Sequence, residues 1–240
     1  MIIVDKKTLL SAICHSSFTE LPVEYEIELL KLKDPELAYY YVLFHSDSFV
    51  FASGMKSWEN IVLNSKKSKW NYLFALDIKG ADIALHEKVI LENKELEWNC
   101  QFIRNFKTAN VKDHVLVMLG DTFYSKMNFV KFFGAEDKAD VWSIVEPYVL
   151  EQNDSILSYL VAKEIKKANI KDHEDVVFDR GNLELIYKFS RDVVGANRRR
   201  LAFPIILSKD PELNYLFARD VSDIDIFPHE KVVLDSRNPE

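Results

Sequence analysis

Four of the six histidines, His86, His114, His173 and His229, occupy one position of a segment that the chain writes repeatedly. Imidazole is the commonest protein metal ligand, so a histidine column first raises the question of a metal centre. Three of the four are followed by glutamate, at 86–87, 173–174 and 229–230, which begins the His-Glu-x-x-His motif of zinc proteases. The second histidine, four residues on, is missing from each. Zinc needs its ligands at about 2 Å, whereas equivalent positions of stacked helices lie roughly 8–10 Å apart. The column therefore predicts helix-start residues that pack and hydrogen-bond within their own units, and no metal site.

Two basic clusters are the next candidates. Arg198, Arg199 and Arg200 stand where sister segments carry Ile-Ala-Leu, Val-Lys-Asp, Ile-Lys-Asp and Ile-Phe-Pro, so the repeat itself does not demand them. Lys66, Lys67 and Lys69 form a second cluster within NSKKSKW (64–70). Both read as loops at turns and could meet an anion, a phosphate or an acidic partner, but a solvated loop is the usual meaning of such a charge run and is the favoured reading. Phosphate binding to nucleic acid is an alternative reading, but no interleave of basic and stacking aromatic residues accompanies it. Trp58, Trp70, Trp98 and Trp142 lie on apolar helical faces and read as core. Glu24, Glu26 and Glu28, like Glu95 and Glu97, alternate at i, i+2 and so diverge around a helix instead of forming an acid/base pair. With no phosphate-cradling glycine loop and no nucleophile elbow, no catalytic or cofactor-binding set emerges.

The elements that would position these residues come from the repeat. NYLFALDIKGADIALHEKVIL (71–91) aligns without a gap on NYLFARDVSDIDIFPHEKVVL (214–234), and weaker copies lie between. The most regular column holds Gly54, Asp82, Asn110, Asp140, Asn169, Asn197 and Asp225. Residues of this kind tolerate the left-handed region or close an Asx turn, so the column predicts the bend between two helices, with an N-cap on the second as the near alternative. Gly80 and Gly195 stand two residues earlier, where a helix C-terminal glycine would sit. Leu213, Leu216, Phe217 and Val221, spaced i, i+3, i+4, i+8, define the buried stripe of a first helix. The same spacing gives Trp70, Leu73, Phe74, Ile78 and also Leu157, Leu160, Val161, Ile165.

Lys-Asp-Pro-Glu-Leu occurs at 33–37 and at 209–213 because each copy opens the same helix, with aspartate as N-cap, proline in the first turn and glutamate at the positive helix end. The second helix, as in HEKVILEN, is too short to stand alone. These features predict an all-α fold, an α-solenoid of about eight stacked helix-turn-helix repeats of ~28 residues in a single domain over 1–240. Residues 1–33 would form a divergent cap pair with a helix near Asp5–Ser16, 34–209 the central repeats with 121–153 the most degenerate, and 210–240 the last repeat.

Six glycines and seven prolines in 240 residues argue against an all-β chain. A formal net charge of −7 disfavours non-specific nucleic-acid binding. Cys14 and Cys100 sit in apolar company and suit buried thiols in a reducing compartment. MIIVDKKTLL lacks the apolar run of a signal peptide, and no stretch approaches a bilayer span, so the expected location is cytoplasmic.

The Asp34-Pro35-Glu36, Ala38, Tyr39–Tyr41 pattern, together with Asp210, Pro211, Glu212, Tyr215, Ala218, Asp220 and Val221, resembles a helical repeat of tailed-bacteriophage proteins and some of their hosts. The chain departs from that repeat in using His at the second-helix start, where the family more often has Pro, and in lacking the Gly-Arg-aromatic-Pro turn. The resemblance covers most of the chain and implies a scaffold, carrying over no catalytic residue. It points to a phage accessory protein, non-enzymatic and without cofactor, that binds and inhibits a host or defence factor in the host cytoplasm. Nucleic-acid binding through the basic loops and sequestration of a small molecule are the alternatives.

Overall fold

The structure is a computed structural model that describes residues 6–15, 23–45, 54–135 and 138–236. Among them no strand occurs. The sixteen helices are α1 (Lys6–His15), α2 (Val23–Leu32), α3 (Pro35–His45), α4 (Met55–Ser65), α5 (Ser68–Asp77), α6 (Ile83–Asn93), α7 (Leu96–Asn105), α8 (Val111–Leu119), α9 (Phe123–Phe133), α10 (Ala139–Glu151), α11 (Ser155–Glu164), α12 (Ile170–Arg180), α13 (Leu183–Asp192), α14 (Arg198–Leu207), α15 (Pro211–Asp220) and α16 (Phe227–Asp235). The chain divides into two compact units, Met1–Met118 and Leu119–Glu240. The N-terminal helix expected near Asp5–Ser16 is α1; Asp5, Ser16 and the Cys14 side chain lie outside the described residues.

Within each unit, helices pack on the next helix and on the next but one. In the first, α3 packs on α4 and α5 on α6, while α3 also meets α5, and α5 meets α7. In the second, α11 packs on α12, α13 on α14 and α15 on α16, with α11 against α13 and α13 against α15. Helices of about ten residues are marginal alone, so this packing of apolar faces is what holds them.

The first helix of a pair stops in a recurring way. Ile78, Phe106, Ile165, Val193 and Val221 are C-caps in extended conformation, and each N–H still closes on the carbonyl four residues back, as in Val221 to Phe217 at 3.0 Å. The last residue of the i, i+3, i+4, i+8 stripe is thus a helix stop that remains in the core, where Ile78, Ile165, Val193 and Val221 are buried. β-Branched side chains suit both the extended backbone and the core.

The Asp/Asn/Gly column differs from its expected role at the bend. Asp82, Asn169 and Asn197 have negative φ, and their side chains accept N–H bonds from Leu85, Asp172 and Arg200. They are N-caps, the second of the two roles open to them. Asp140 is no part of the column: it lies inside α10, whose N-cap is Lys138. Gly54, the N-cap of α4, keeps a positive φ of 72, but the left-handed helix ends fall elsewhere, at Lys33, Lys66, Lys94, Asn153 and Lys209, where second helices end. There Lys66 N–H closes on Leu63 O at 3.2 Å and Lys209 N–H on Ile206 O at 3.2 Å. A cation at the negative end of a helix compensates a lysine for a conformation that disfavours it. Gly80 and Gly195 (both φ 89) hold the other left-handed position, the bend inside a pair, shared by Asp223 (φ 59).

Candidate functional site

The histidine column is the core of a polar network that repeats along the chain. His86, His114, His173 and His229 are fully buried. In three pairs, Nδ1 meets a buried asparagine one helix earlier: His86 with Asn71 Oδ1 (2.8 Å), His114 with Asn99 (2.7 Å) and His229 with Asn214 (2.7 Å). The asparagine amide is oriented by its Nδ2, which donates to two backbone carbonyls, Val62 O (3.1 Å) and Lys67 O (3.0 Å) for Asn71. Asn214 does the same to Ile205 O (2.9 Å) and Asp210 O (2.8 Å). With Oδ1 left to face the ring, Nδ1 carries the hydrogen.

Nε2 points back to the preceding pair. It lies 3.5 Å from Glu59 for His86, 3.2 Å from Glu87 for His114 and 3.3 Å from Glu146 for His173. The same three glutamates accept the N–H of the following cap residue, Asp82 on Glu59 (2.6 Å), Asn110 on Glu87 (2.7 Å) and Asn169 on Glu146 (2.7 Å), and Glu174, which faces no histidine, accepts that of Asn197 (2.6 Å). The recurring His-Glu dipeptide therefore has a structural meaning. Its histidine is directed at the glutamate before, and its glutamate at the cap after. The expectation that these histidines act only within their own units needs correction, because the contact to glutamate spans two pairs.

Burial pushes the His86 pKa down to about 4 against the opposing pull of Glu59, and lowers that of His114 in the same way against Glu87. At Glu146 burial works upward, but His173 and the Asn169 N–H hold the carboxyl below its usual range. Two pairs replace the asparagine and histidine together by apolar residues, while His173 is kept with Ser158 at the asparagine place and its Nδ1 without a partner among the described residues. Ile186 and Leu201 stand at the Asn–His spacing and are both buried, as are Val130 and Val145. Of the four Nε2 atoms, only that of His114 is hydrogen-bonded to its glutamate (3.2 Å); those of His86 and His173 lie near theirs without a hydrogen bond, and at the last pair Ala202 occupies the glutamate place, leaving His229 Nε2 without even that contact.

A second set of inter-pair bonds joins successive first helices. Tyr39 donates to Asp77 (2.6 Å) and Tyr159 to Asp192 (2.5 Å); Tyr187 bonds Asp220, and Tyr72 accepts from Asn105 (2.9 Å). Arg191, with Tyr159 adding to it, holds the Asp192 carboxyl down at about 2.

The Arg cluster is largely committed to the fold. Arg200 pairs with Asp175 and with Glu174 (3.4 Å) and lies over the Phe178 ring at 4.2 Å. It takes up Glu174 in the pair whose histidine has become Leu201. Arg198 donates to Ser190 O (3.2 Å), Ser222 Oγ (3.1 Å) and Asp223 (3.3 Å). Arg199 is exposed and has no ion pair among the described residues.

In the lysine cluster, Lys66 is the left-handed helix end found also at Lys33, Lys94 and Lys209. Lys67 is the exposed N-cap of α5, and Lys69 Nζ lies 4.6 Å from the Trp70 ring centre. The two clusters belong to different units. Of the four tryptophans, Trp58, Trp70 and Trp142 are buried in the core. Cys100 is a buried free thiol. Among the described residues no group of three or more His, Cys, Asp or Glu could hold a metal ion, and no helix is long and apolar enough to cross a membrane.

What this geometry defines is an all-helical protein of successively latched helix pairs. No family model, curated protein or solved structure matches the chain.

Proposed function

We propose that the chain is a non-enzymatic protein-interaction scaffold whose helix pairs stack as an α-solenoid of about eight repeats. Latches that recur along the chain, a glutamate to a cap and a tyrosine to an aspartate, support the stacking because each commits one pair to the next. One observation carries the functional part: an exposed apolar face on the second helices of the C-terminal unit. Phe203 (61% exposed) and Leu207 (62%) lie one turn apart on α14, and α16, packed against it, exposes Phe227 (69%) and Leu234 (64%). Large apolar side chains left in water on neighbouring helices mark an interaction surface better than a core requirement. The resemblance to phage repeats makes a host or defence factor, inhibited by occlusion in the cytoplasm, the partner class of this proposal.

Tagged protein and its Phe203→Asp/Leu207→Asp variant, both checked for helicity, would be used to capture partners from bacterial cells. The expected result is a stoichiometric protein retained by the first and lost by the second. Equal capture by both, or none by either, overturns the reading.

A further inference from the structure

First helices that open on aspartate treat that residue in two ways. In α3, Asp34 Oδ1 caps the helix, accepting from Leu37 N (3.1 Å), while Oδ2 takes the ammonium of Lys6 (2.8 Å), which also reaches Glu36 (2.7 Å). In α11, Asp154 Oδ1 caps Leu157 N (3.0 Å) and Oδ2 takes the ammonium of Lys126. Both lysines come from a first helix 28 residues earlier. In α15 the same Asp-Pro-Glu opening recurs, and Asp210 Oδ1 caps Leu213 N (3.1 Å). Here the residue at the lysine spacing is Asn182, the cap of α13. Asp210 Oδ2 and the Glu212 carboxylate have no partner among the described residues, and both residues are exposed.

These two carboxylates border an open groove of about 660 Å³ between the starts of α13 and α15. Leu183, Leu213 and Leu216 supply its half-buried apolar wall, and Glu184, held by Lys188 at 2.7 Å, stands on the far side. An aliphatic stem against the leucines would bring a primary ammonium to Asp210 Oδ2 and Glu212, the arrangement Lys6 makes inside this chain with Asp34 and Glu36.

We infer that this groove receives a lysine side chain of the partner protein, Asp210 and Glu212 binding its ammonium and the three leucines its stem. The inference rests on the scaffold reading and gives its partner a chemistry.

n-Butylammonium chloride, a lysine side chain without its backbone, is the probe. Amide resonances of the intact protein would be followed during titration, with butan-1-ol as the uncharged control. Saturable shifts confined to residues 181–184 and 210–216 are expected with the amine and not with the alcohol. Asp210→Asn keeps a capping oxygen while removing the charge, so Asp210→Asn/Glu212→Gln should fold normally and bind at least tenfold more weakly. Asn182→Lys, which restores the internal spacing, should occupy the groove and exclude the probe.

Absence of saturable shifts, or an unchanged response in Asp210→Asn/Glu212→Gln, overturns the inference. Partner capture that survives Asp210→Asn/Glu212→Gln but fails with Phe203→Asp/Leu207→Asp overturns the groove alone. Failure to capture any protein overturns the scaffold reading even where butylammonium binds.

Discussion

The Asn–His pairing can be tested against the chain's own apolar substitute for it. Asn71→Ile and His86→Leu, made singly and together, copy the Ile186/Leu201 pair into α5 and α6. Asn71→Ile removes the acceptor that His86 Nδ1 meets among the described residues, in a side chain that is 0% exposed. Stranding such a donor costs about 1–3 kcal/mol. The carbonyls that Asn71 served are otherwise satisfied, Val62 O by Ser65 Oγ (2.6 Å) and Lys67 O by Trp70 N (3.2 Å), so the penalty concentrates on the ring. His86→Leu alone strands Asn71 Oδ1 at comparable cost. Glu59 keeps the Asp82 N–H and Lys56 in either variant. The double variant leaves neither orphan and should be more stable than the sum of the singles predicts, by about 1–3 kcal/mol. Urea unfolding of the four proteins, followed by tryptophan fluorescence, measures this coupling. Single and double effects that add to within about 0.5 kcal/mol would show that the two buried side chains do not depend on each other.

Ala202→Gln can place an amide donor opposite the unpartnered Nε2 of His229, an acceptor while Nδ1 carries the hydrogen, and should raise the unfolding free energy by about 1 kcal/mol; a lowered urea midpoint would refute the latch geometry. Phe217→Ala empties a fully buried site and should cost about 3–5 kcal/mol, whereas Leu216→Ala, half-buried at the groove, should cost under about 2 kcal/mol. Thermal unfolding separates these two, and equal losses would show that the buried stripe is misassigned. Burial holds His86, His114 and His229 below their ordinary pKa, that of His86 at about 4. Between about pH 6.5 and 4 the unfolded chain therefore binds protons that the folded chain refuses, so stability should be full above 6.5 and fall as pH drops through that window. A urea midpoint that stays flat or rises from pH 7 to 5 would contradict it.

The buried stripe and the second-helix caps were legible because each leaves a mark in a fixed column: Phe74, Val161 and Phe217 are buried where period 3.6 puts them. The left-handed helix ends were not, because the residues there are Lys33, Lys66, Lys94 and Lys209, whose exposed side chains read as solvated charge. Asp140 was misplaced because α10 runs thirteen residues and begins one turn early relative to Glu146. Two of the four latching glutamates stand in His-Glu dipeptides, but all four bond a backbone N–H of the next cap, which no side-chain column reveals. Arg198 and Arg200 stood out as departures from the repeat, and such a departure does not tell a free charge from one matched by Glu174, Asp175 and Asp223.

Glu59, Glu87, Glu146 and Glu174 each serve the cap of a neighbouring pair, so the chain tolerates some changes of length far better than others. Excising or duplicating one whole helix pair keeps each of these carboxylates 23 residues from a cap, while adding or removing a few residues between them puts the contact out of phase. An architecture wired this way can lengthen or shorten during evolution only in quanta of one hairpin, and its surface can diversify freely between those joints.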